Sequence, residues 1–277
     1  MTNLPKCYGI IPARYGSTRF PGKPLAEILG KPMFWHVFKR ASRCPQLSKT
    51  ILATDDNRII SAAKNLNVPA IKTRNDHLSG TDRVLEAAEL LNMPEDAVVV
   101  NIQGDEPTLE PDMLTELILP FKSSNVQVTT LAKKIDSKEA ENPDRVKLVF
   151  SKSGRALYFS RALIPYYHSK QRYGFYGHIG LYAFRMNILK QFVKFGQSEL
   201  EITEKLEQLR LLENDVPVHV VITQYQSVGV DRPQDIEIVS RILSKTCNIS
   251  IRAPGKSQEK KSTFFRQNSS IPIKAGF

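Results

Sequence analysis

The run Ala97-Val98-Val99-Val100-Asn101-Ile102 constrains the fold of this chain more than any other segment. Six residues without polar alternation fit a strand buried on both faces, as at the centre of a parallel sheet. The residues before it alternate strand and helix patterns. Strands are expected at 7–12, 49–54 and 69–72, and helical spacing at 32–42, 57–66 and 81–92, where Asp55 or Asp56 can cap the second helix. Repeated βαβ units of this length predict an α/β fold, a doubly wound, mostly parallel sheet with right-handed crossovers.

The middle of the chain reads differently. Residues 126–133, 147–150, 156–160 and 177–184 resemble strands joined by polar loops, so a small mixed α/β lobe, roughly 134–200, is expected as an insertion into the main sheet. A helix is expected over 202–213, with Ile202, Leu206, Leu209 and Leu212 on one side, then a strand at 218–223 and a closing helix at 233–243. One domain, residues 1–244, would then be followed by a Ser-, Lys- and Gln-rich tail, 245–277, whose composition predicts disorder.

Charge and cysteines narrow the function classes. The net charge of +11 invites a nucleic-acid reading, but the tail carries seven Lys or Arg against one acid, Glu259. That leaves +5 for the first 244 residues. A mildly basic body suits a protein that handles anionic small molecules, and no helix-turn-helix, RRM or zinc-finger pattern is present. Three widely spaced cysteines, Cys7, Cys44 and Cys247, form neither a disulfide framework nor a zinc site. No apolar run approaches the ~18 residues of a membrane span, and the N-terminus lacks signal-peptide features, so a cytoplasmic location is expected.

Two segments carry chemistry. The first strand runs into Arg14-Tyr15-Gly16-Ser17-Thr18-Arg19-Phe20-Pro21-Gly22-Lys23. This is neither a Walker A loop nor GxGxxG, but it has the same ingredients. Small residues let backbone N–H groups approach phosphate oxygens, and Arg14, Arg19 and Lys23 can offset a triphosphate's charge. The apolar strand ends in Gln103-Gly104-Asp105-Glu106-Pro107, at the carboxyl edge where open α/β sheets bind ligands. Asp105 would therefore lie beside a metal-bound triphosphate. Asp231, in Val228-Gly229-Val230-Asp231-Arg232-Pro233-Gln234-Asp235, reads equally well as a second metal carboxylate or as a helix N-cap, and Asp235 as a charge serving the helix dipole.

In combination, IPARYGSTRFPGKPL, HLSGTDR, VVNIQGDEP, ALYFSRALIP, HIGLYAFR, LEQLRLLE and GVDRPQDIE resemble the 3-deoxy-manno-octulosonate (Kdo) cytidylyltransferases, or CMP-Kdo synthetases, over roughly residues 8–243. CMP-sialic acid synthetases share the fold and a related first loop, but not the combination of QGDEP, LYFSR and LEQLR. The resemblance implies a nucleotide-diphospho-sugar transferase-like fold. It implies transfer of CMP from CTP to the anomeric hydroxyl of Kdo with release of pyrophosphate, serving lipopolysaccharide biosynthesis. It further implies magnesium dependence and a homodimer built partly from the lobe.

The resemblance also assigns residues. Arg14 and Lys23 would hold the triphosphate and stabilise developing charge, with Gly16 and Ser17 in the loop between them. Ser79, Gly80, Thr81 and Arg83 would hold cytosine, ribose and phosphate. Asp105 and Asp231 would be the magnesium carboxylates. Arg19, Gln103, Arg161, His178, Tyr182, Glu207 and Gln208 would bind the sugar, an arginine fork gripping its carboxylate and the mixed donors and acceptors its hydroxyls. From the residues alone, His178 and Tyr182 read as packed strand residues, and Glu207 and Gln208 as a solvated helix face. Arg232-Pro233-Gln234-Asp235 and Gly177 depart from the usual pattern without removing a ligand. The rival functions are a cytidylyltransferase for sialic acid or an amino-Kdo, a basic nucleic-acid-binding protein, and an inactive nucleotide sensor.

Overall fold

The computed structural model describes residues 4–16, 20–168 and 174–251, with side chains as far as Lys245. Ser17 and Arg19 of the first loop, and the tail beyond Ile251, lie outside the described residues. In chain order the elements are β1 (Cys7–Pro12), β2 (Glu27–Ile28), β3 (Lys31–Pro32), α1 (Met33–Ala41), β4 (Leu47–Thr54), α2 (Asn57–Asn65) and β5 (Ala70–Lys72). Next come α3 (Gly80–Leu90), β6 (Val98–Asn101), α4 (Pro111–Ile118), β7 (Val128–Ile135), α5 (Ser137–Glu141), β8 (Lys147–Phe150) and β9 (Ala156–Ser160). The last are β10 (Phe175–Arg185), α6 (Met186–Phe195), α7 (Glu199–Glu204), α8 (Leu209–Glu213), β11 (Val218–Ile222) and α9 (Asp235–Ile251).

Among the described residues the main sheet has nine strands, seven of them in the order β11-β7-β10-β6-β1-β4-β5, with β8 and β9 attached through β10. Strands β6, β1, β4 and β5 are parallel, as their apolar runs require. Period-two alternation sends successive residues to opposite helix layers. Ile10, Ile51 and Val99 pack with α3 and α6, whereas Ile11, Leu52, Val98 and Val100 pack with α1, α2 and α4. The doubly wound expectation therefore holds, with helices on both faces.

Three readings change. Residues 177–184 were expected in the lobe, yet β10 runs antiparallel between β6 and β7 inside the main sheet. Between β7 and β10 the chain runs through α5, β8 and β9, and the two strands join the same sheet through β10. The expected helix over 202–213 is two short helices, broken at Lys205, which takes a left-handed φ of 57°. The break puts Glu207 and Gln208 on a turn rather than on a regular helix face. The closing helix starts at Asp235 and continues to Ile251, so the first residues of the expected tail, 245–251, are helical.

A third cluster packs Val230, Val239 and Leu243 against Ile28 and Met33, with Phe20 and Val228 beside them. It ties the segment before α9 to the far side of the first loop, and so places Asp231 at the same sheet edge as Lys23.

Candidate active site

The carboxyl ends of β1 and β6 are held unusually close. A Cβ on Gly104 would lie 2.7 Å from the Pro12 carbonyl oxygen, so only glycine fits there. The first loop closes on itself through Gly22 N–H donating to the Tyr15 carbonyl at 2.9 Å, with Gly22 at φ 72°. Together these contacts gather residues from four chain segments around one cavity of ≈ 260 Å³. Arg14, Lys23, Ser79, Gly80, Arg83, Gln103 and Asp105 all line it. His77 and Leu78 line it too. Neither stood out in the sequence, although a leucine 80 % exposed within a polar turn is a signal of contact with something apolar.

At one end, Lys23 Nζ donates to Asp105 Oδ2 at 2.6 Å and to the Val230 carbonyl at 3.0 Å. The Val230 N–H donates back to the Asp105 carbonyl at 2.9 Å. Asp231 is the next residue after this backbone pairing, and both it and Asp105 act electrostatically on Glu106. Asp231 is not a helix N-cap, because α9 begins four residues later. Instead the Asp235 carboxylate accepts from the amides of Asp231 and Arg232, both at 2.8 Å, and so shapes the turn that presents Asp231. A third carboxyl, Glu106, was not singled out by the sequence reading. Burial, opposed by the Ser227 hydroxyl that donates to it and reinforced by Asp105 and Asp231, pushes it up to about 7.

Along the other wall, Ser79 caps α3. Its Oγ accepts from the Asp82 amide at 3.1 Å, and the Asp82 carboxylate accepts from the Ser79 amide at 2.9 Å. This reciprocal box occupies Asp82 and leaves the amides of Gly80 and Thr81, which a helix does not pair internally. Arg83 is buried and directed at its own frame. Nη1 lies 2.5 Å from Thr73 Oγ1, 3.1 Å from the Arg74 carbonyl and 3.3 Å from Asp55 Oδ1. Gly16 sits at the exposed start of the loop, with open space where a Cβ would be. Arg14 is exposed.

The residues expected to bind sugar fall into two groups. His178 and Tyr182 lie in β10 on either side of a bulge between Ile179 and Tyr182, which lets the Tyr182 hydroxyl meet His178 Nε2 at 2.9 Å. Thr130 Oγ1 lies 2.9 Å from the same nitrogen. Burial lowers His178 to about 3, so its ring is neutral at any ordinary pH, and burial likewise raises Tyr182. Tyr182 pairs with Asn101 across the β10–β6 ladder. Thr81 Oγ1 donates to Glu207 Oε2 at 3.0 Å and accepts from Asn101 Nδ2 at 3.1 Å. Glu207 and Gln208 are thus turned inward, not solvated. Gln208 is buried, and burial raises the Glu207 carboxyl.

Arg161 stands apart, in the turn after β9. Its Nε donates to the Glu204 carbonyl at 2.9 Å and its Nη1 to the Pro143 carbonyl at 3.3 Å. Its backbone is also clamped. The Glu204 carboxylate accepts from its amide at 2.9 Å, and the fully buried Lys147 ammonium donates to its carbonyl at 2.6 Å. Its partner Glu204 precedes the turn that carries Glu207 and Gln208.

Residues 8–220 match the family model described as cytidylyltransferase. A 3-deoxy-manno-octulosonate cytidylyltransferase of Oleidesulfovibrio alaskensis is 61% identical over 239 residues, covering 86% of this chain and 96% of that protein. This chain belongs to the 3-deoxy-manno-octulosonate cytidylyltransferase family. Another member, from Lawsonia intracellularis, is 52% identical over 87% of this chain and 95% of its own length. A CMP:2-keto-3-deoxy-manno-octonic acid synthetase solved in complex with CTP superposes with a TM-score of 0.83 at 37% identity, covering 87% of this chain and 99% of its own. A cytidylyltransferase from Leptospira borgpetersenii shares the fold at 14% identity, with a TM-score of 0.58, over 91% of this chain and 100% of its own. The mixed α/β sheet of the family is thus the one seen here. No helix among the described residues is long and apolar enough to cross a membrane.

Proposed function

We propose that the protein transfers CMP from CTP to 3-deoxy-manno-octulosonate, releasing pyrophosphate. The observation that carries this reading is the convergence of Arg14, Lys23, Ser79, Gly80, Gln103 and Asp105 on one cavity, in a chain 61% identical to a protein named for that reaction. Arg14 and Lys23 act as the triphosphate cations, and the capped N-terminus of α3 offers amides to a phosphate oxygen. Gln103, His178, Tyr182, Glu207 and Gln208 form the sugar side, with Arg161, and with Arg19 of the first loop.

Magnesium fits this site. Asp105 already accepts a cation, the Lys23 ammonium at 2.6 Å, and Asp231, next to the Val230 whose amide bonds Asp105, would supply a second carboxylate, the hard oxygen set this ion prefers. When bound there, the ion would lower the pKa of the attacking hydroxyl and neutralise phosphate charge. The protein's own part is positional. The backbone bond between Val230 and Asp105 ties together the segments that carry the two carboxylates, Gly104 lets the phosphate loop approach Asp105, and Lys23 would bridge carboxylate and triphosphate. The anomeric hydroxyl would attack the α-phosphorus in line, with no covalent enzyme intermediate. Leu157, Leu163 and Tyr166 are exposed around β9 and the turn after it, which supports a homodimer built partly from this region. A chain that consumes CTP would work in the cytoplasm and would need no nucleic-acid partner.

The test is pyrophosphate release with CTP, Kdo and magnesium, each omitted in turn, with sialic acid and an amino-substituted Kdo as competing sugars and UTP as the competing nucleotide. Turnover should require all three components. Better turnover with another acidic sugar would move the substrate assignment, and equal use of UTP would break the cytidylyl assignment.

A further inference from the structure

Thr81 lies in the first turn of α3 but does not present its hydroxyl to the cavity wall. The residue is 3 % exposed, and its Oγ1 is held between Asn101 and Glu207. An ionised Glu207 can only accept, so Thr81 donates to it and accepts from the Asn101 amide group. That orients the Asn101 side chain and leaves its Oδ1 as the atom still to be paired. Asn101 Oδ1, Glu207 Oε1 and Gln208 Nε2 are all buried without a hydrogen-bond partner. Asn101 is 2 % exposed and Gln208 is 6 % exposed.

An unmade hydrogen bond on a buried polar atom costs about 1–3 kcal/mol, and such atoms are few in native proteins. Three of them here belong to two adjacent residues, Glu207 and Gln208, and to the asparagine linked to Glu207 through one hydroxyl. They comprise two acceptors and one donor. A hydroxyl group can both donate and accept, so a polyol edge complements the set, whereas a carboxylate would meet Glu207 with like charge.

We propose that Asn101 is a sugar-binding residue that pairs, with Glu207 and Gln208, to hydroxyls of the acceptor sugar, and that Thr81 is a positioning residue for this trio rather than a nucleotide ligand. The inference rests on the sugar cytidylyltransferase reading above and adds two residues to its sugar side. Asn101 is placed for the role by the β6 register. It faces α3 with Val99, is the last residue of the strand, and pairs with Tyr182 in β10.

The charge environment of Glu207 gives an independent readout. Burial raises its carboxyl, the hydroxyls of Ser79 and Thr81 and the Arg210 guanidinium hold it down, and Asp82 acts with burial. Tyr182 also faces it. Removing the Thr81 hydroxyl removes one group that favours the ionised form.

The experiment measures pyrophosphate release by the full chain with CTP and Kdo varied separately, for wild type, Thr81→Val, Thr81→Ser, Asn101→Ala and Asn101→Ser. Thr81→Val and Asn101→Ala should each raise the KM for the sugar about tenfold, the size of one lost buried hydrogen bond. The KM for CTP should change by no more than about threefold on the same reasoning. Thr81→Val should also move the acid limb of the pH profile of kcat/KM for the sugar upward, and Thr81→Ser should restore both. Equal rises in the two KM values, a rise for CTP alone, an unmoved acid limb, or failure of serine to rescue would overturn the inference. If Thr81→Val or Asn101→Ala melts too early to assay, the two serine variants decide. Asn101→Ser, which cannot span to Thr81, should retain the sugar defect, and wild-type sugar affinity in it would overturn the proposal. Wild-type enzyme without any Kdo-dependent release would instead overturn the underlying functional reading, and the inference with it.

Discussion

Gly104→Ala tests whether the close approach of β1 and β6 is what assembles the cavity. The added Cβ would sit 2.7 Å from the Pro12 carbonyl oxygen, against the roughly 3.3 Å of an ordinary close C···O contact. Pro12 must therefore retreat by about 0.6 Å or the QGDEP turn must tilt by as much. Gly104 does not lie in the left-handed region, so alanine meets no backbone penalty and the clash is the whole perturbation. Overpacking of this kind costs about 1–3 kcal/mol, which for a domain of this size corresponds to a fall of roughly 3–10 °C in Tm. The functional loss should be larger than the stability loss suggests. Pro12 leads directly to Arg14, and Gly104 precedes Asp105, so the displacement falls between the triphosphate cation and the carboxylate. Misplacement near 1 Å can cost on the order of 10²-fold, and kcat/KM for CTP should fall about 10- to 100-fold in a variant that still folds cooperatively. Calorimetric melting and pyrophosphate release check the two halves. A folded variant with wild-type kcat/KM and an unchanged Tm would refute the argument that this contact sets the cavity.

Other substitutions probe the remaining parts. Asp105→Asn keeps the volume, removes the charge facing Lys23 and should lower kcat by on the order of 10²–10³ with the fold intact, as melting would verify. Near-normal turnover at saturating magnesium would contradict the carboxylate's role. Glu106→Gln should flatten the pH dependence of metal-free stability. Between the ordinary 4.5 and about 7 the buried carboxyl keeps its proton while the unfolded one has lost it, so wild-type stability falls as pH rises through that window. Wild type and variant melting in parallel from about pH 4.5 to 7 would count against a buried, protonated Glu106. Arg161→Lys loses the planar fork that reaches the Glu204 and Pro143 carbonyls, so it should weaken sugar use more than CTP binding. An equal loss for CTP would mark Arg161 as a general scaffold residue.

Local pattern determined much of this protein. The run at 97–102 declared a strand buried on both faces, and β6 is that strand, with Val98, Val99 and Val100 fully buried. The small residues and cations after β1 and the acidic turn after β6 were readable because a sheet's carboxyl edge collects such segments whatever the details of packing. That much follows from periodicity and strand direction, which are properties of neighbouring residues. What the sequence left open depended on contacts between residues far apart in the chain. Helical spacing over 202–213 gave no sign of the left-handed Lys205, which turns Glu207 toward Thr81, 126 residues away. The antiparallel place of β10 between β6 and β7 followed from pairing rather than from its own residues. Asp231 could be separated from a helix cap only once Asp235 was seen to hold its amide and Val230 to bond Asp105. Burial made the final difference. Glu207 and Gln208 are polar by type and would face water in an isolated helix, and only the packed fold turns them inward beside Asn101 and Thr81.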